Sequence, residues 1–231
     1  MMAQNARERS GLAVVCVSGG MDSAVTAALA ASHHRLAFLH GNYGQRTEAR
    51  ELQCFERLAD YFEVGPRLVV DFGGLRSIGG SSLTDTTIPV REGDPEEGVV
   101  PTSYVPFRNA HLLAAAVSWA EVLRARAVYV GAVWEDSSGY PDCRPEFYRA
   151  FAEAVRVGTH PDSRIEIVTP VIALSKAEIV RRGVALDVPF DLTWSCYQAE
   201  AEACGRCESC RLRLRGFAEA GLTDPLSYQR A

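Results

Sequence analysis

The sequence predicts an α/β protein with a doubly wound, mostly parallel five-stranded sheet and a small helical subdomain at the C-terminus. Five short apolar segments rich in β-branched residues alternate with helical patterns rich in Ala, Leu and Glu. The apolar segments have few polar interruptions, which is typical of strands in a parallel sheet covered by helices on both faces. The expected strands are 12–17, 35–40, 67–71, 127–133 and 165–168, and the expected helices are 23–32, 47–61 and 109–123.

The length and composition predict one large core with a small appendage. The chain has 231 residues, of which 47% are hydrophobic and 23% are charged. This is enough apolar material for a single large domain core. We expect an α/β domain over residues 1–185 that binds the ligands, followed by a C-terminal subdomain over residues 186–231.

The charge balance and the cysteine content restrict the partners and the compartment. A formal net charge of −5 disfavours nucleic acid, because affinity for it comes largely from Lys and Arg that neutralise phosphates. No apolar run approaches the roughly 20 residues that span a bilayer. Seven cysteines without a secretion signal favour reduced thiols. We expect a cytoplasmic protein with a small-molecule substrate and no nucleic-acid or membrane partner.

The turn after the first expected strand has the composition of an anion site. Residues 18–23 read Ser-Gly-Gly-Met-Asp-Ser; the glycines permit a tight turn, and the following helix presents unpaired N–H groups to phosphate. The Walker and dinucleotide patterns are missing, which disfavours γ-phosphoryl and hydride transfer. The turn resembles the S-G-G-x-D-S loop of the PP-loop ATP pyrophosphatases, whose fold is adenine nucleotide alpha-hydrolase-like and which adenylylate an oxygen atom and release pyrophosphate. A turn that merely caps a helix is the alternative.

Four cysteines near the C-terminus have the spacing of a metal site. Cys204, Cys207 and Cys210 form two C-x-x-C steps that share the middle residue, and Cys196 precedes them by seven intervening residues. Four thiolates satisfy tetrahedral zinc and leave no coordination position open, so one structural Zn²⁺ per chain is expected. A redox pair or unrelated buried thiols are the alternatives.

Three further segments are more polar than simple connecting loops need to be. They read Asn-Tyr-Gly-Gln-Arg at 42–46, Val-Pro-Phe-Arg-Asn at 105–109 and Ser-Gly-Tyr-Pro-Asp-Cys-Arg at 138–144. Together with Thr-Trp-Ser-Cys-Tyr at 193–197, the PP-loop turn and the cysteine cluster, they closely resemble the signatures of the 7-cyano-7-deazaguanine synthase family. The resemblance runs from about Val14 to Arg215.

The resemblance implies a ligase that forms C–N bonds. That family converts 7-carboxy-7-deazaguanine, ammonia and ATP to the 7-nitrile, called preQ0, in queuosine biosynthesis. Adenylylation of the acid, formation of the amide and a second activation of the amide oxygen would lead to the nitrile, with Mg²⁺ offsetting the phosphate charge. The family also suggests a homodimer, for which an apolar face of the helix 109–123 is available.

The candidate ATP-binding residues surround the PP-loop turn. They are Cys16, Val17, Ser18, Gly19, Gly20, Met21, Asp22, Ser23, Ala24, Val25 and Thr26. The expected catalytic residues are Ser18, Asp22, Ser23, Lys176 and Arg108, with Lys176, Arg108 and Arg46 as cations near the phosphates. Lys176 could instead only open a helix capped by the pair Ser175–Glu178, and the arginines could form surface ion pairs.

The candidate substrate-binding residues lie in the three polar segments. They are Tyr43, Gln45, Arg46, Phe107, Arg108, Asn109, Asp136, Ser138, Tyr140, Asp142 and Arg144. Tyr43, Tyr140 or Phe107 would sandwich the base, unless they pack in the core. Asp136 or Asp142 would accept hydrogen bonds from the guanine-like edge, unless they serve loop turns or contact Mg²⁺.

Other polar groups are given smaller roles. Cys143 is not expected to be a nucleophile, because no histidine base accompanies it. The five histidines form no ligand-spaced pair, so they are expected to be solvated or in the core. The long segment 73–103 is expected to be a partly mobile lid or substrate loop.

Other protein classes share parts of the pattern. A tRNA-thiolating PP-loop enzyme would need reactive cysteines and an RNA-binding surface, which the acidic balance disfavours. An NAD- or GMP-synthetase-like amidating enzyme gives no reason for the segment 138–144, and a nonenzymatic nucleotide-binding module would not release AMP. A relative that joins the same activated acid to another amine would share these motifs and differ in the mass of its product.

Overall fold

A five-stranded parallel sheet forms the centre of the protein in the computed structural model, which describes residues 11–96, 98–134 and 139–230. The strands are β1 (Leu12–Cys16), β2 (Arg35–Asn42), β3 (Arg67–Asp71), β4 (Ala127–Val130) and β5 (Glu166–Val168). Their order is β3-β2-β1-β4-β5, and every pairing among the described strands is parallel. The predicted α/β class with five strands is confirmed.

Helices cover both faces of this sheet. They are α1 (Met21–Ala31), α2 (Glu48–Tyr61), α3 (Gly74–Ile78), α4 (Arg108–Leu123), α5 (Pro145–Gly158), α6 (Lys176–Ala185) and α7 (Glu208–Glu219). One apolar cluster joins α1, α2, α6 and α7 to one face, and a second joins α4 and α5 to the other. The three predicted helices are confirmed to within two residues at each end, whereas α3 and α5 were not predicted. Among the described residues, no helix is both long enough and apolar enough to cross a bilayer.

Two strand ends differ from the prediction by two or more residues, and both lie at the carboxyl edge of the sheet. β2 continues to Asn42 instead of ending at residue 40, because it remains paired with β3 as far as Asp71. β4 ends at Val130 instead of continuing to residue 133. At the next residue, Gly131, the chain passes so close to the start of α1 that an added Cβ atom would lie 2.9 Å from the backbone nitrogen of Ser23.

The strand order places a crevice between β1 and β4. From β1 the chain moves outward to β2 and β3, and then returns to place β4 on the opposite side of β1. The connections that leave these two strands therefore run to opposite faces of the sheet. In open α/β sheets, ligands bind in the crevice that this divergence creates at the carboxyl ends of the strands.

The segment expected to be a lid packs against the protein in its described part. Ser81 and Ser82 are fully buried. The guanidinium of Arg46 donates to the carbonyl oxygens of Ser82 (2.6 Å), Asp85 (3.0 Å) and Ile88 (2.8 Å). Because one rigid side chain satisfies three backbone acceptors, it fixes the path of this part of the segment. Movement of the segment stays a prediction.

The C-terminal residues pack on α6. Gly216 of α7 lies so close to α6 that an added Cβ atom would be 2.6 Å from Lys176 Cβ. The two helices are therefore in direct backbone contact at that point. The proposed domain boundary at residue 185 would separate this packed pair, and it stays a prediction.

Candidate active site

A cavity of about 240 Å³ opens at the carboxyl ends of β1, β2 and β4. The turn 17–23 except Gly19, the end of β2, the start of α4, the segment 131–133 and the tail residues Trp194, Ser195 and Tyr197 contribute to its wall. These parts are far apart in the sequence, and the sheet topology brings them together. The cavity therefore lies where the strand order predicts a ligand site.

The turn between β1 and α1 leaves backbone donors free at one end of the cavity. Gly20 is the N-cap of α1 and offers no side-chain cap, so the first N–H groups of the helix lack an intrahelical partner. Ser23 Oγ donates to the carbonyl oxygen of Gly20 at 2.8 Å, and Gly20 N donates to Ser18 Oγ at 3.3 Å. Gly19 has φ +86°, and an added Cβ atom would lie 2.6 Å from the carbonyl oxygen of Glu51. This geometry suits an anion.

Lys176 and Asp22 form an ion pair across the mouth of this turn. Lys176 Nζ lies 2.6 Å from Asp22 Oδ2, and the two side chains are 10% and 26% exposed. The capping box that starts α6 is also present, with Ser175 and Glu178 bonded reciprocally. The capped helix start therefore directs Lys176 to the cavity, and its role as a cation for phosphates stays a prediction. Lys176 is the only lysine in the chain.

Arg108 lies among tyrosine rings on another side of the cavity. Its Nη1 donates to the hydroxyl of Tyr43 at 2.8 Å, and its guanidinium carbon is 5.2 Å and 5.9 Å from the ring centres of Tyr43 and Tyr140. The hydroxyl of Tyr140 donates to Ser103 Oγ at 2.9 Å and lies 3.3 Å from the hydroxyl of Tyr197. Burial raises the pKa of all three phenols, so they stay neutral beside the cation.

Glu51 of α2 also lines the cavity. Its two carboxylate oxygens accept from Thr47 Oγ1 at 2.7 Å and from Gln45 Nε2 at 3.1 Å. Gln45 in turn accepts from the backbone N–H of Tyr43 at 2.8 Å. Burial raises the pKa of Glu51, and the two hydrogen bonds oppose that shift. Gln45 therefore orients both Glu51 and Tyr43 from behind the cavity wall.

Asp142 stabilises the start of α4 and does not line the cavity. Its Oδ2 accepts from the backbone N–H of Asn109 at 3.0 Å, and its backbone carbonyl accepts from Asn109 Nδ2 at 3.1 Å. Burial raises the pKa of this carboxyl group. The neighbouring Cys143 does reach the cavity, but burial raises the pKa of its thiol to about 12. The thiol therefore stays protonated, as a residue without a nucleophilic role would.

The four cysteines of the tail form one buried cluster. The Sγ atoms of Cys196, Cys204, Cys207 and Cys210 all lie within 4.8 Å of one another. The backbone N–H groups of Ala199 and Cys204 each donate to Cys196 Sγ at 3.3 Å. Contact with the side chains of Cys207 and Cys210, together with the backbone amides of Cys204 and Gln198, lowers the pKa of Cys196. The cluster is able to hold a metal ion, as the spacing predicted.

Comparison with known proteins decides the family. The family model described as queuosine biosynthesis protein QueC matches residues 12–221. The chain belongs to the QueC family. A relative from Chlorobaculum tepidum named 7-cyano-7-deazaguanine synthase is 58% identical over 221 residues, and one of the same name from Chlorobaculum parvum is 56% identical over 218 residues. Each alignment covers 94% of this chain and 96% of the relative.

The resemblance inferred from the motifs is thus confirmed as QueC membership. Likeness to solved structures is weaker: NMN synthetase from Francisella tularensis aligns with a TM-score of 0.47 and 16% identity, over 85% of this chain and 71% of that one.

Several predicted site residues of this QueC protein lie away from the cavity. Arg46 holds the segment 82–88, Phe107 is 57% exposed and packs its ring near Phe147, and Arg144 places its guanidinium over Trp134. The described residues Gly19, Ala24, Val25 and Thr26 lie behind the wall rather than in it. Asp136 and Ser138 lie outside the described residues. The other candidates in the turn, together with Tyr43, Arg108, Asn109, Tyr140 and Lys176, do meet at the cavity.

The sequence analysis missed several residues of the wall besides Glu51. Among them are His40, Trp194, Tyr197 and Arg213. His40 Nδ1 lies 2.8 Å from the carbonyl oxygen of Val17 and donates to it, because a carbonyl oxygen can only accept. Burial lowers the pKa of this imidazole. In the neutral ring, Nε2 is therefore an acceptor. The position of His40 near the carboxyl end of β2 could have indicated a place in the ligand site. Trp194 and Tyr197 belong to a QueC signature, but the motif alone gave them no role.

Proposed function

We propose that this QueC protein makes 7-cyano-7-deazaguanine from 7-carboxy-7-deazaguanine, ammonia and ATP in queuosine biosynthesis. The observation that carries the proposal is the 56–58% identity to proteins named 7-cyano-7-deazaguanine synthase over 94% of the chain. The cavity supports it, because an anion-binding turn, three cationic side chains and several aromatic faces line one space. These are the groups that a nucleotide, a carboxylate and a flat base require.

The turn 18–23 is proposed to bind the phosphates of ATP. The free N–H groups at the start of α1 and the hydroxyls of Ser18 and Ser23 would donate hydrogen bonds to the phosphate oxygens, and Lys176 would offset the negative charge of the phosphates. A carboxylate oxygen of the acid would attack the α-phosphorus and expel pyrophosphate. Ammonia would displace AMP to form the amide. The amide oxygen would then be adenylylated by a second ATP with release of pyrophosphate, and loss of AMP and of both amide protons would leave the nitrile.

Mg²⁺ is proposed to bind beside this turn. Asp22 Oδ1 is buried and has no hydrogen-bond partner among the described residues, whereas Oδ2 accepts from Lys176. An unpartnered carboxylate oxygen beside a phosphate site is the type of ligand that Mg²⁺ uses together with phosphate oxygens. When bound, the ion would offset charge on the phosphates.

Zn²⁺ is proposed as the ion of the cysteine cluster. Four thiolates and several N–H···S bonds match a closed tetrahedral site, and such sites contribute directly to folding. We expect purified protein to contain about one zinc per chain, and Cys204→Ser to lose it together with a large fall in Tm. Cys143→Ser, which changes a buried cysteine outside the cluster, should keep its zinc. Elemental analysis and thermal denaturation of both variants test this, and full zinc content in Cys204→Ser would contradict it.

The decisive test of the function is product analysis. The protein is incubated with ATP, Mg²⁺, ammonium and 7-carboxy-7-deazaguanine, and the products are identified by mass spectrometry. We expect the nitrile, with two AMP and two pyrophosphate released for each nitrile formed. An amide or a conjugate as the end product would favour the amine-joining relative, and ADP as the nucleotide product would refute the mechanism.

Two further proposals concern the state of the protein in the cell. We propose a homodimer through the outer face of α4, where Val122 is 80% exposed and Ala114 and Ser118 are exposed beside it. Light scattering of the wild type and Val122→Glu tests this interface.

We also propose a reducing, cytoplasmic compartment, which suits seven cysteines that form no disulfide among the described residues.

A further inference from the structure

The carboxylates of the cavity differ in what they already bind. Within the described residues, Asp22 and Glu51 are the two acidic residues that line it. Asp22 is paired with Lys176 at 2.6 Å and lies at the start of α1, in the proposed phosphate site. Glu51 lies on α2, which begins just after the segment that carries Tyr43 and Gln45. The roles described so far leave its carboxylate without a function.

Glu51 is held in one orientation with hydrogen-bonding capacity to spare. Thr47 donates to one oxygen at 2.7 Å and Gln45 donates to the other at 3.1 Å. An ionised carboxylate offers about four acceptor positions, so each oxygen retains room for one more donor. Because two neighbours already fix the Glu51 side chain, this side chain loses little conformational entropy when a ligand binds to it.

We propose that Glu51 is the residue that recognises the guanine-like edge of the substrate. This inference rests on the proposed function, in which the substrate is a deazaguanine acid. The edge carries a ring N–H and an exocyclic amine side by side, and two adjacent N–H donors match the two oxygens of one carboxylate. A partly buried carboxylate also gains from new donors, because burial without partners is costly.

The positions of Asp142 and Arg108 agree with a substrate whose guanine-like edge faces Glu51. Asp142 was expected to bind the guanine-like edge. Its Oδ2 instead accepts from the backbone N–H of Asn109, and the residue does not line the cavity. Arg108 lies in the same cavity against Tyr43, and it is suited to attract the carboxylate substituent of the substrate. The base carries its donor edge and its acidic substituent on different rings. Within this cavity, Glu51 and Arg108 therefore complement the two ends of the substrate.

The test compares two acids on the same enzyme samples. Wild type, Glu51→Gln, Glu56→Gln and Asp136→Asn are assayed for AMP release with 7-carboxy-7-deazaguanine and with the analogue that lacks the exocyclic amine. Glu56 is the matched control, since it lies on the same helix but pairs with Arg67 at 2.8 Å outside the cavity. We expect wild type and Glu56→Gln to prefer the natural acid by roughly 10- to 100-fold in kcat/KM, the worth of a hydrogen bond to a charged group. In Glu51→Gln this preference should fall to near 1.

The preference is a ratio measured on one sample, so a smaller folded fraction in Glu51→Gln does not change it. A wild-type preference near 1, or an unchanged preference in Glu51→Gln, would overturn the inference. So would a collapse of the preference in Asp136→Asn alone, which would assign the edge to that residue. If wild type converts neither acid, the proposed function itself has failed, and this result is distinct from the others.

Discussion

Replacing Lys176 with methionine is expected to lower the rate of AMP formation about 100- to 1,000-fold, the usual effect of removing one group that stabilises charge in a transition state. Methionine keeps the length and apolar stem of the side chain and removes its charge. The ammonium lies 2.6 Å from Asp22 Oδ2 and adjoins the free N–H groups of α1, where the pyrophosphate would leave. The loss should therefore affect kcat more than the binding of the deazaguanine acid.

The single lysine makes this prediction unusually easy to test. Arg182→Met, which removes an exposed charge from the same helix, is the matched control and should retain wild-type rates. Because the chain has no other lysine, reductive methylation would mark Lys176 and the α-amino group alone. We expect ATP with Mg²⁺ to slow the labelling of Lys176 but not of the α-amino group. A folded Lys176→Met variant with normal AMP release would refute the role.

Local patterns were sufficient to predict the sheet and the nucleotide turn. The five strands follow from apolar runs, and the turn 18–23 follows from glycines and hydroxyls placed directly after a strand. The helix α5 carried a similar signal that was overlooked: Pro145 at its first position precedes apolar residues at helical spacing. These features are local in sequence, so the sequence is informative about them.

The direction of a side chain could not be predicted in the same way. Arg46 and Arg108 both belong to polar sequence segments. The guanidinium of Arg46 binds backbone carbonyls of the segment 82–88, whereas tyrosine rings hold Arg108 beside the cavity. Trp194 donates its backbone N–H to Gly19, 175 residues earlier, and no sequence pattern reports a contact of that kind. Residue type therefore indicated candidates, and non-local packing decided among them.

Breaking the buried pair Arg213–Asp224 in the tail is expected to be strongly destabilising. The side chains are 1% and 3% exposed, and the bonds from Nε to Oδ2 and from Nη2 to Oδ1 measure 2.7 Å and 3.0 Å. Removing one partner of such a pair costs about 3–5 kcal/mol, because the other charge is left buried. For a chain of this size the Tm of Asp224→Asn should fall by roughly 6–20 °C.

The same pair is expected to affect the nucleotide site. Arg213 Nη1 donates to Thr193 Oγ1 at 2.7 Å, and the next residue, Trp194, donates its backbone N–H to the carbonyl oxygen of Gly19 at 2.8 Å. Loosening Arg213 should therefore release the PP-loop turn from one of its supports. At a temperature where Asp224→Asn is still folded, we expect a higher KM for ATP with little change in the KM for ammonium.

A surface pair on the same helix separates this effect from a general loss of charge. Arg215 lies 4.0 Å from Glu219 with 39% of its side chain exposed, and such pairs contribute at most about 1 kcal/mol. Arg215→Leu should therefore leave both Tm and the KM for ATP close to wild type.

The double replacement Arg213→Leu with Asp224→Leu should recover part of the stability, because no buried charge remains. It should not restore the KM for ATP, since leucine cannot donate to Thr193. Recovery of both properties would show that the pair supports the fold without positioning the turn.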